Sequence, residues 1–181
     1  ERHRPLPESQ REVAQVRALW PAARVLDGPQ ATLDALRELH RGGELAAFDV
    51  ILFATHATFF DEQPRLSALA LADGEMSVHE ISAWRLNASL VCVSACDGGR
   101  AVAYGGEERL GIEHALLRCG ARNVVSPIWQ VDDSAARHVA TAVLTEYHSG
   151  CGVERAVQRA LSAARDHMNG ADWAAWRHSS L

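Results

Sequence analysis

The sequence has few cysteines, few aromatic residues and no long apolar run. It contains 4 cysteines in 181 residues and no CxxC pair, which argues against a disulfide framework or a metal clip. Its 18 Lys and Arg residues are scattered and outnumbered by 23 Asp and Glu, so nucleic acid is a poor partner. No apolar run approaches the roughly 20 residues of a membrane span. These absences exclude a membrane span and indicate a reducing, cytoplasmic location.

The composition that remains is that of a globular protein. Hydrophobic residues make up 48% of the chain and charged residues 23%, and the length suits a single domain over residues 1–181. The first residue is Glu1 rather than Met, and no signal-peptide pattern follows it. We therefore expect the chain to be the C-terminal part of a longer protein.

Apolar spacing along the chain predicts alternating strands and helices. Helical spacing occurs at 8–20, 32–42, 107–119, 132–150 and 153–164, and nearly continuous apolar runs of strand length occur at 48–54, 89–94 and 123–129. A polar excursion at 58–87 is typical of a functional loop or small hairpins, and 173–176 is a candidate edge strand. This order predicts an α/β fold with a mostly parallel central sheet and helices on both faces.

Two reactive residues follow predicted strands at their carboxyl ends, where parallel sheets bind ligands. His56 follows the strand that ends at Ala54, and Cys96 follows the strand that ends at Ser94. An imidazole beside a thiol supports nucleophilic catalysis, and the N–H groups of Ala57 and Cys96 are candidates for an oxyanion hole. Spacing alone favours a structural role, because a histidine after a strand and a buried cysteine are more often core or loop residues.

The other candidate groups favour structural explanations. Cys92, Cys119 and Cys151 fit small buried hydrophobic residues. His148 and Cys151 have a metal-like interval, but no second ligand pair accompanies them, so we predict no metal site. The serines near strand ends lack the GxSxG pattern of a nucleophile elbow.

Five strings along the chain resemble a motif series of one known family. They are FATHA (53–57), SALALADG (67–74), LVCVSAC (90–96), GARNVVS (120–126) and WQVDD (129–133). Together they resemble the CHAT domain, a caspase-like cysteine peptidase domain typically found at the C-terminus of bacterial chains with tetratricopeptide repeats. The resemblance covers nearly the whole chain. It implies a three-layer caspase-hemoglobinase-like sandwich with His56 and Cys96 as the catalytic pair.

The resemblance also implies a function. We expect a cysteine endopeptidase that cleaves a protein or peptide substrate through the Cys96/His56 dyad, with no metal or organic cofactor. The family implies control by a repeat region that precedes this chain, so we expect the isolated chain to be weakly active. The departures from the family pattern are small: residues 97–99 lack the usual Thr, and Ala57 replaces a common Gly.

Two functional alternatives and one specificity question stay open. A catalytically idle caspase-like module for bacterial signalling or defence is the first alternative; a small-molecule-binding domain is the second, although no GxGxxG loop supports it. Asp97, Trp129 and Asp132 are candidates for a pocket that accepts a basic side chain before the cut. The simpler explanation of Asp132 is that it caps the following helix.

Overall fold

A computed structural model describes residues 6–95, 98–100, 102–104, 108–168 and 170–180 of the chain. The strands are β1 (Val50–Ala54), β2 (Ala57–Thr58), β3 (Ala68–Ala70), β4 (Glu75–Ser77), β5 (Leu90–Ser94), β6 (Val102–Tyr104), β7 (Glu108–Leu110), β8 (Asn123–Pro127) and β9 (Trp176–Ser180). The helices are α1 (Pro7–Leu19), α2 (Leu33–Arg41), α3 (Val78–Ile81), α4 (Ile112–Arg118), α5 (Asp133–His148) and α6 (Val153–His167).

The central sheet has the strand order β1-β5-β8-β9. β1, β5 and β8 are parallel, and β9 pairs with β8 in the antiparallel direction. Successive residues of β5 enter two different cores. Val91 and Val93 belong to a core with α2, α3 and α4, whereas Leu90 and Cys92 belong to a core with α5 and α6. The predicted three-layer α/β sandwich with a mostly parallel sheet is therefore confirmed.

The excursion between β1 and β5 is a packed unit. β2, β3 and β4 form a small antiparallel sheet, which leads into the short helix α3. Leu69, Met76 and Ile81 are fully buried against the core beneath the central sheet. This largely polar segment therefore contains several buried apolar residues that pack it against the core. None of the helices in the described part of the chain is long and apolar enough to cross a membrane.

Two predicted elements differ from the structure. The helix predicted at 107–119 begins only at Ile112, because residues 108–110 form β7 and pair with β6. Glu107, the first residue of the predicted helix, lies outside the described residues. The strand predicted at 173–176 lies at Trp176–Ser180, where pairing with β8 determines its position.

Candidate active site

The carboxyl ends of β1 and β5 lie side by side. The parallel register pairs Ala54 with Ser94, and the N–H of Thr55 donates to the carbonyl oxygen of Ser94 at 3.3 Å. His56 stands two residues beyond Ala54. Cys96 stands two residues beyond Ser94 in the sequence, and it lies outside the described residues. The chain segments that leave these two strands therefore start from paired positions.

The backbone around His56 is fixed by the small sheet. The His56 carbonyl oxygen accepts from the N–H of Ala70 at 2.9 Å, and the Thr55 hydroxyl donates to the Ala70 carbonyl oxygen at 2.7 Å. Ala57 faces Leu69 in the ladder of β2 with β3. Because the bond from Ala70 to His56 flanks this pair, it is a non-hydrogen-bonded pair, and the Ala57 N–H points away from β3. That orientation suits a donor to an oxyanion.

The segment that follows Cys96 is held closely against the sheet. Gly98 donates its N–H to the Ala95 carbonyl oxygen at 3.1 Å, and Gly99 donates to the Pro127 carbonyl oxygen at 2.8 Å. A Cβ on Gly98 would lie 2.8 Å from a Val93 methyl carbon, so no side chain fits there. Neither glycine has a positive φ. These glycines are therefore required by the close approach of other atoms rather than by a left-handed turn.

The segments after His56 and after Cys96 contact each other directly. The Arg100 guanidinium donates to the Asp61 carboxylate at 3.2 and 3.3 Å and lies 5.0 Å from the centre of the Phe59 ring. Asp61 and Phe59 follow His56, whereas Arg100 follows Cys96. These contacts bring together the two segments that carry the predicted dyad.

Two of the other thiols are poor nucleophiles. Burial raises the pKa of Cys92 well above its ordinary value, and the charge of Glu12 adds to that rise. Burial also raises the pKa of Cys119 to about 11. Cys151 is half-buried, and its sulfur lies 3.5 Å from the Arg159 guanidinium. Since the thiolate is the reactive form, Cys92 and Cys119 are structural, as the sequence predicts.

Glu12 is a buried carboxyl group beneath the same edge of the sheet. It is 2% exposed and belongs to α1. Burial raises its pKa to about 8, against the lowering effect of its hydrogen bond with Ser94. The carboxylate of Asp133 raises this pKa further, and Arg137 lowers it. The sequence analysis missed Glu12, because its position in an amphipathic helix carries no local signal of burial.

The candidate pocket residues have different surroundings. Asp132 caps α5, because its Oδ1 accepts from the N–H of Ser134 at 2.9 Å and from the Ser134 hydroxyl at 2.5 Å. Trp129 is 40% exposed. Asp97 lies outside the described residues. The structure thus establishes the capping role of Asp132 and leaves the pocket as a proposal.

Two further features concern ligands. Within the described ranges, no group of three or more His, Cys, Asp or Glu side chains is arranged to hold a metal ion. A groove of about 900 Å³ runs along β1, and its lining includes Trp20, Leu52 and Tyr147. His56 does not line this groove. This groove is therefore separate from His56.

The fold and the edge of the sheet define a class of protein. A three-layer α/β domain with a histidine and a cysteine placed after neighbouring parallel strands has the organisation of caspase-like cysteine peptidases. The sequence matches the family model of the CHAT domain over residues 2–180. The chain therefore belongs to the CHAT domain family. A search of the curated proteins found no match.

Proposed function

We propose that the chain is a cysteine endopeptidase with Cys96 as nucleophile and His56 as general acid and base. The observation that carries this proposal is the parallel pairing of Ala54 with Ser94, from which both residues are separated by the same number of positions. The contact of Arg100 with Asp61 supports it, because it joins the two segments involved. The raised pKa values of Cys92 and Cys119 make these thiols poor nucleophiles, which favours Cys96 as the nucleophile.

The proposed reaction is acyl transfer through the Cys96 thiol. His56 accepts the thiol proton as the sulfur attacks the carbonyl carbon of the scissile peptide bond, and the N–H groups of Ala57 and Cys96 stabilise the resulting oxyanion. His56 donates a proton to the departing amine, the carbon–nitrogen bond breaks, and a thioester remains. Water then attacks the thioester, releases the carboxylic acid and regenerates the thiol. The reaction as written needs no cofactor.

Replacing His56 with alanine is expected to lower kcat for peptide hydrolysis by about 10²- to 10⁴-fold, because the amine then leaves without a proton donor. The melting temperature is expected to fall by no more than about 3 °C, since the half-buried imidazole is not part of either core. Turnover of fluorogenic peptides and thermal unfolding measure the two effects.

His79→Ala is the matched control, because His79 is an exposed histidine on α3. It should leave both quantities unchanged. A His56→Ala variant that keeps its turnover, or one that loses its turnover only by unfolding, contradicts the assignment. The alternative, an idle interaction module, requires that wild-type protein hydrolyse no peptide and bind a signalling partner through the same surface.

We also propose that Asp132 and Trp129, with Asp97, border the pocket for a basic side chain before the cut. Asp132→Asn tests the charge alone, since asparagine is an equally good helix cap. The variant is expected to lower kcat/KM for Arg and Lys peptides by about tenfold and to leave neutral peptides unaffected. Cleavage-site profiling measures this preference. If Asp132→Asn changes kcat/KM equally for all peptides, Asp132 only caps α5 and does not select a basic side chain.

The CHAT family relationship further suggests that a repeat region preceding this domain controls the activity. Assays therefore use high enzyme concentrations and compare the isolated chain with the longer protein.

A further inference from the structure

Three side chains from distant parts of the sequence meet at the backbone of Gly99. They are Glu113 of α4, Ser126 of β8 and Arg177 of β9. The Arg177 guanidinium donates to the Gly99 carbonyl oxygen, and the Gly99 N–H donates to the Pro127 carbonyl oxygen at 2.8 Å. We call Glu113, Ser126, Arg177 and the Gly99 backbone the Gly99 clamp. Arg177 thus holds the carbonyl group of Gly99, and the carbonyl oxygen of Pro127 holds its N–H group.

The clamp is built around a compensated buried charge. Glu113 is 5% exposed and Ser126 is fully buried. Oε2 of Glu113 accepts from the Ser126 hydroxyl at 2.9 Å and from two nitrogens of Arg177 at 2.9 and 3.3 Å. A carboxylate so deeply buried requires such partners, because water no longer solvates it. Arg177 is thereby fixed in the orientation that reaches Gly99.

The clamp also leaves no space at Gly99. A Cβ there would lie 2.7 Å from the Ser126 hydroxyl oxygen, 2.9 Å from an Ile128 methyl carbon and 3.1 Å from Oε2 of Glu113. Atoms this close cannot accept a methyl group without moving. Hydrogen bonds to its carbonyl oxygen and from its N–H group therefore fix the backbone of Gly99. Close contacts leave no room for a side chain on its Cα.

We propose that Arg177 and Glu113 are positioning residues that hold the segment carrying Cys96 in its reactive conformation. The inference rests on the proposed peptidase function. Ala95, which follows β5, is 2% exposed, and Gly99 is held by a buried side-chain network. Cys96 lies between these two points in the sequence, three residues before Gly99. The clamp thus fixes the backbone three residues beyond the proposed nucleophile.

Arg100 contributes less to this positioning. Its side chain is 40% exposed and that of its partner Asp61 is 68% exposed, so solvent screens the pair. The side chains of Arg177 and Glu113 are only 29% and 6% exposed. The buried pair is also linked to β8 through Ser126. Of these two ion pairs, the buried one is therefore the stronger constraint on the segment.

The test disrupts the Gly99 clamp in two ways, by removing its charges and by steric conflict. Removing Arg177 alone leaves the Glu113 charge buried without its partner, so the double variant Arg177→Met/Glu113→Gln removes both charges together. Gly99→Ala opens the clamp by steric conflict and keeps all charges. Val143→Ala is the stability control, because Val143 is fully buried in the core with α6, away from the clamp. All variants are compared at a temperature at which each is folded.

Three quantities distinguish positioning from general stability. We expect kcat for peptide hydrolysis to fall by about 10- to 100-fold in the clamp variants, with KM within about twofold, because a misplaced thiol binds substrate but attacks slowly. We expect amide hydrogen exchange at residues 98–100 to accelerate by about tenfold. Val143→Ala should lower the melting temperature and change neither kcat nor exchange at 98–100.

The outcomes separate the inference from the function on which it rests. Wild-type turnover together with unchanged kcat in both clamp variants overturns the positioning role and leaves the peptidase intact. Unchanged exchange at residues 98–100 overturns the clamp itself, whether or not the protein hydrolyses peptides. A wild-type protein without turnover contradicts the proposed function, and the catalytic part of the inference falls with it. A proportional loss in Val143→Ala shows that stability alone explains the effect.

Discussion

Cys96→Ala is expected to reduce peptide hydrolysis by about 10⁴-fold or more, because the reaction has no covalent route without the thiol. Cys92 cannot replace it, since Cys92 is fully buried and its pKa is raised well above the ordinary value by burial. Cys119 is buried as well, and its pKa is raised to about 11. The fold should be unaffected, which circular dichroism and thermal unfolding can establish.

Cys151→Ser is the matched control for the loss of one thiol. Cys151 is half-buried and lines the groove along β1, so it is the described cysteine most accessible to reagents. This variant should retain full turnover. Residual hydrolysis in Cys96→Ala at the wild-type rate contradicts the assignment of the nucleophile. Loss of hydrolysis in Cys151→Ser assigns the nucleophile to Cys151, which lies between α5 and α6 and lines the groove.

Glu12→Gln is expected to stabilise the protein at alkaline pH and to leave its stability at acidic pH nearly unchanged. Burial raises the folded-state pKa of Glu12 from 4.5 to about 8. Between these values the folded protein binds a proton that the unfolded chain has released, so stability decreases as the pH rises. The decrease amounts to at most about 5 kcal/mol, and it is complete above the folded-state pKa. Glutamine removes it because its side chain never ionises.

Thermal unfolding from about pH 5 to about pH 9 measures this effect. Glu8→Gln is the control, since Glu8 lies on the same helix and pairs with Arg137 at 2.7 Å. It should lower stability by removing the ion pair and should retain the alkaline decrease. If wild type and Glu12→Gln lose the same amount of stability at alkaline pH, another group causes the loss. That result contradicts a protonated, neutral Glu12 in the folded protein.

Local patterns in the sequence predict most of the sheet and its helices. Apolar residues form continuous runs at β1, β5 and β8 and continuous stripes along α5 and α6. The burial of these apolar residues determines which structure each segment adopts. Helix caps are equally local, because they depend on neighbouring residues: the Thr32 hydroxyl accepts from the N–H of Ala35 at 3.1 Å. β7 and the last strand depart from these patterns, since each depends on a pairing partner.

The surroundings of the candidate site are mostly beyond local prediction. Glu113 and Arg177 are separated by 64 positions, and no spacing rule connects them. Glu12 meets Ser94 only because α1 packs against α5 and the sheet. Position 99 requires glycine because side chains of α4 and β8 lie against it, which the local sequence does not show. Sequence reasoning proposed the reactive groups, whereas the residues that surround them follow from the fold.

The most direct test of the peptidase assignment is covalent labelling with a thiol-directed peptide probe, followed by intact mass and peptide mapping. The account predicts one adduct on wild-type protein, located at Cys96, formed more slowly in His56→Ala and absent in Cys96→Ala. Use of Cys151→Ser protein removes the accessible thiol of the groove as a source of adduct. A wild-type protein that remains unlabelled at Cys96, or that is labelled there at the same rate without His56, contradicts the proposed dyad.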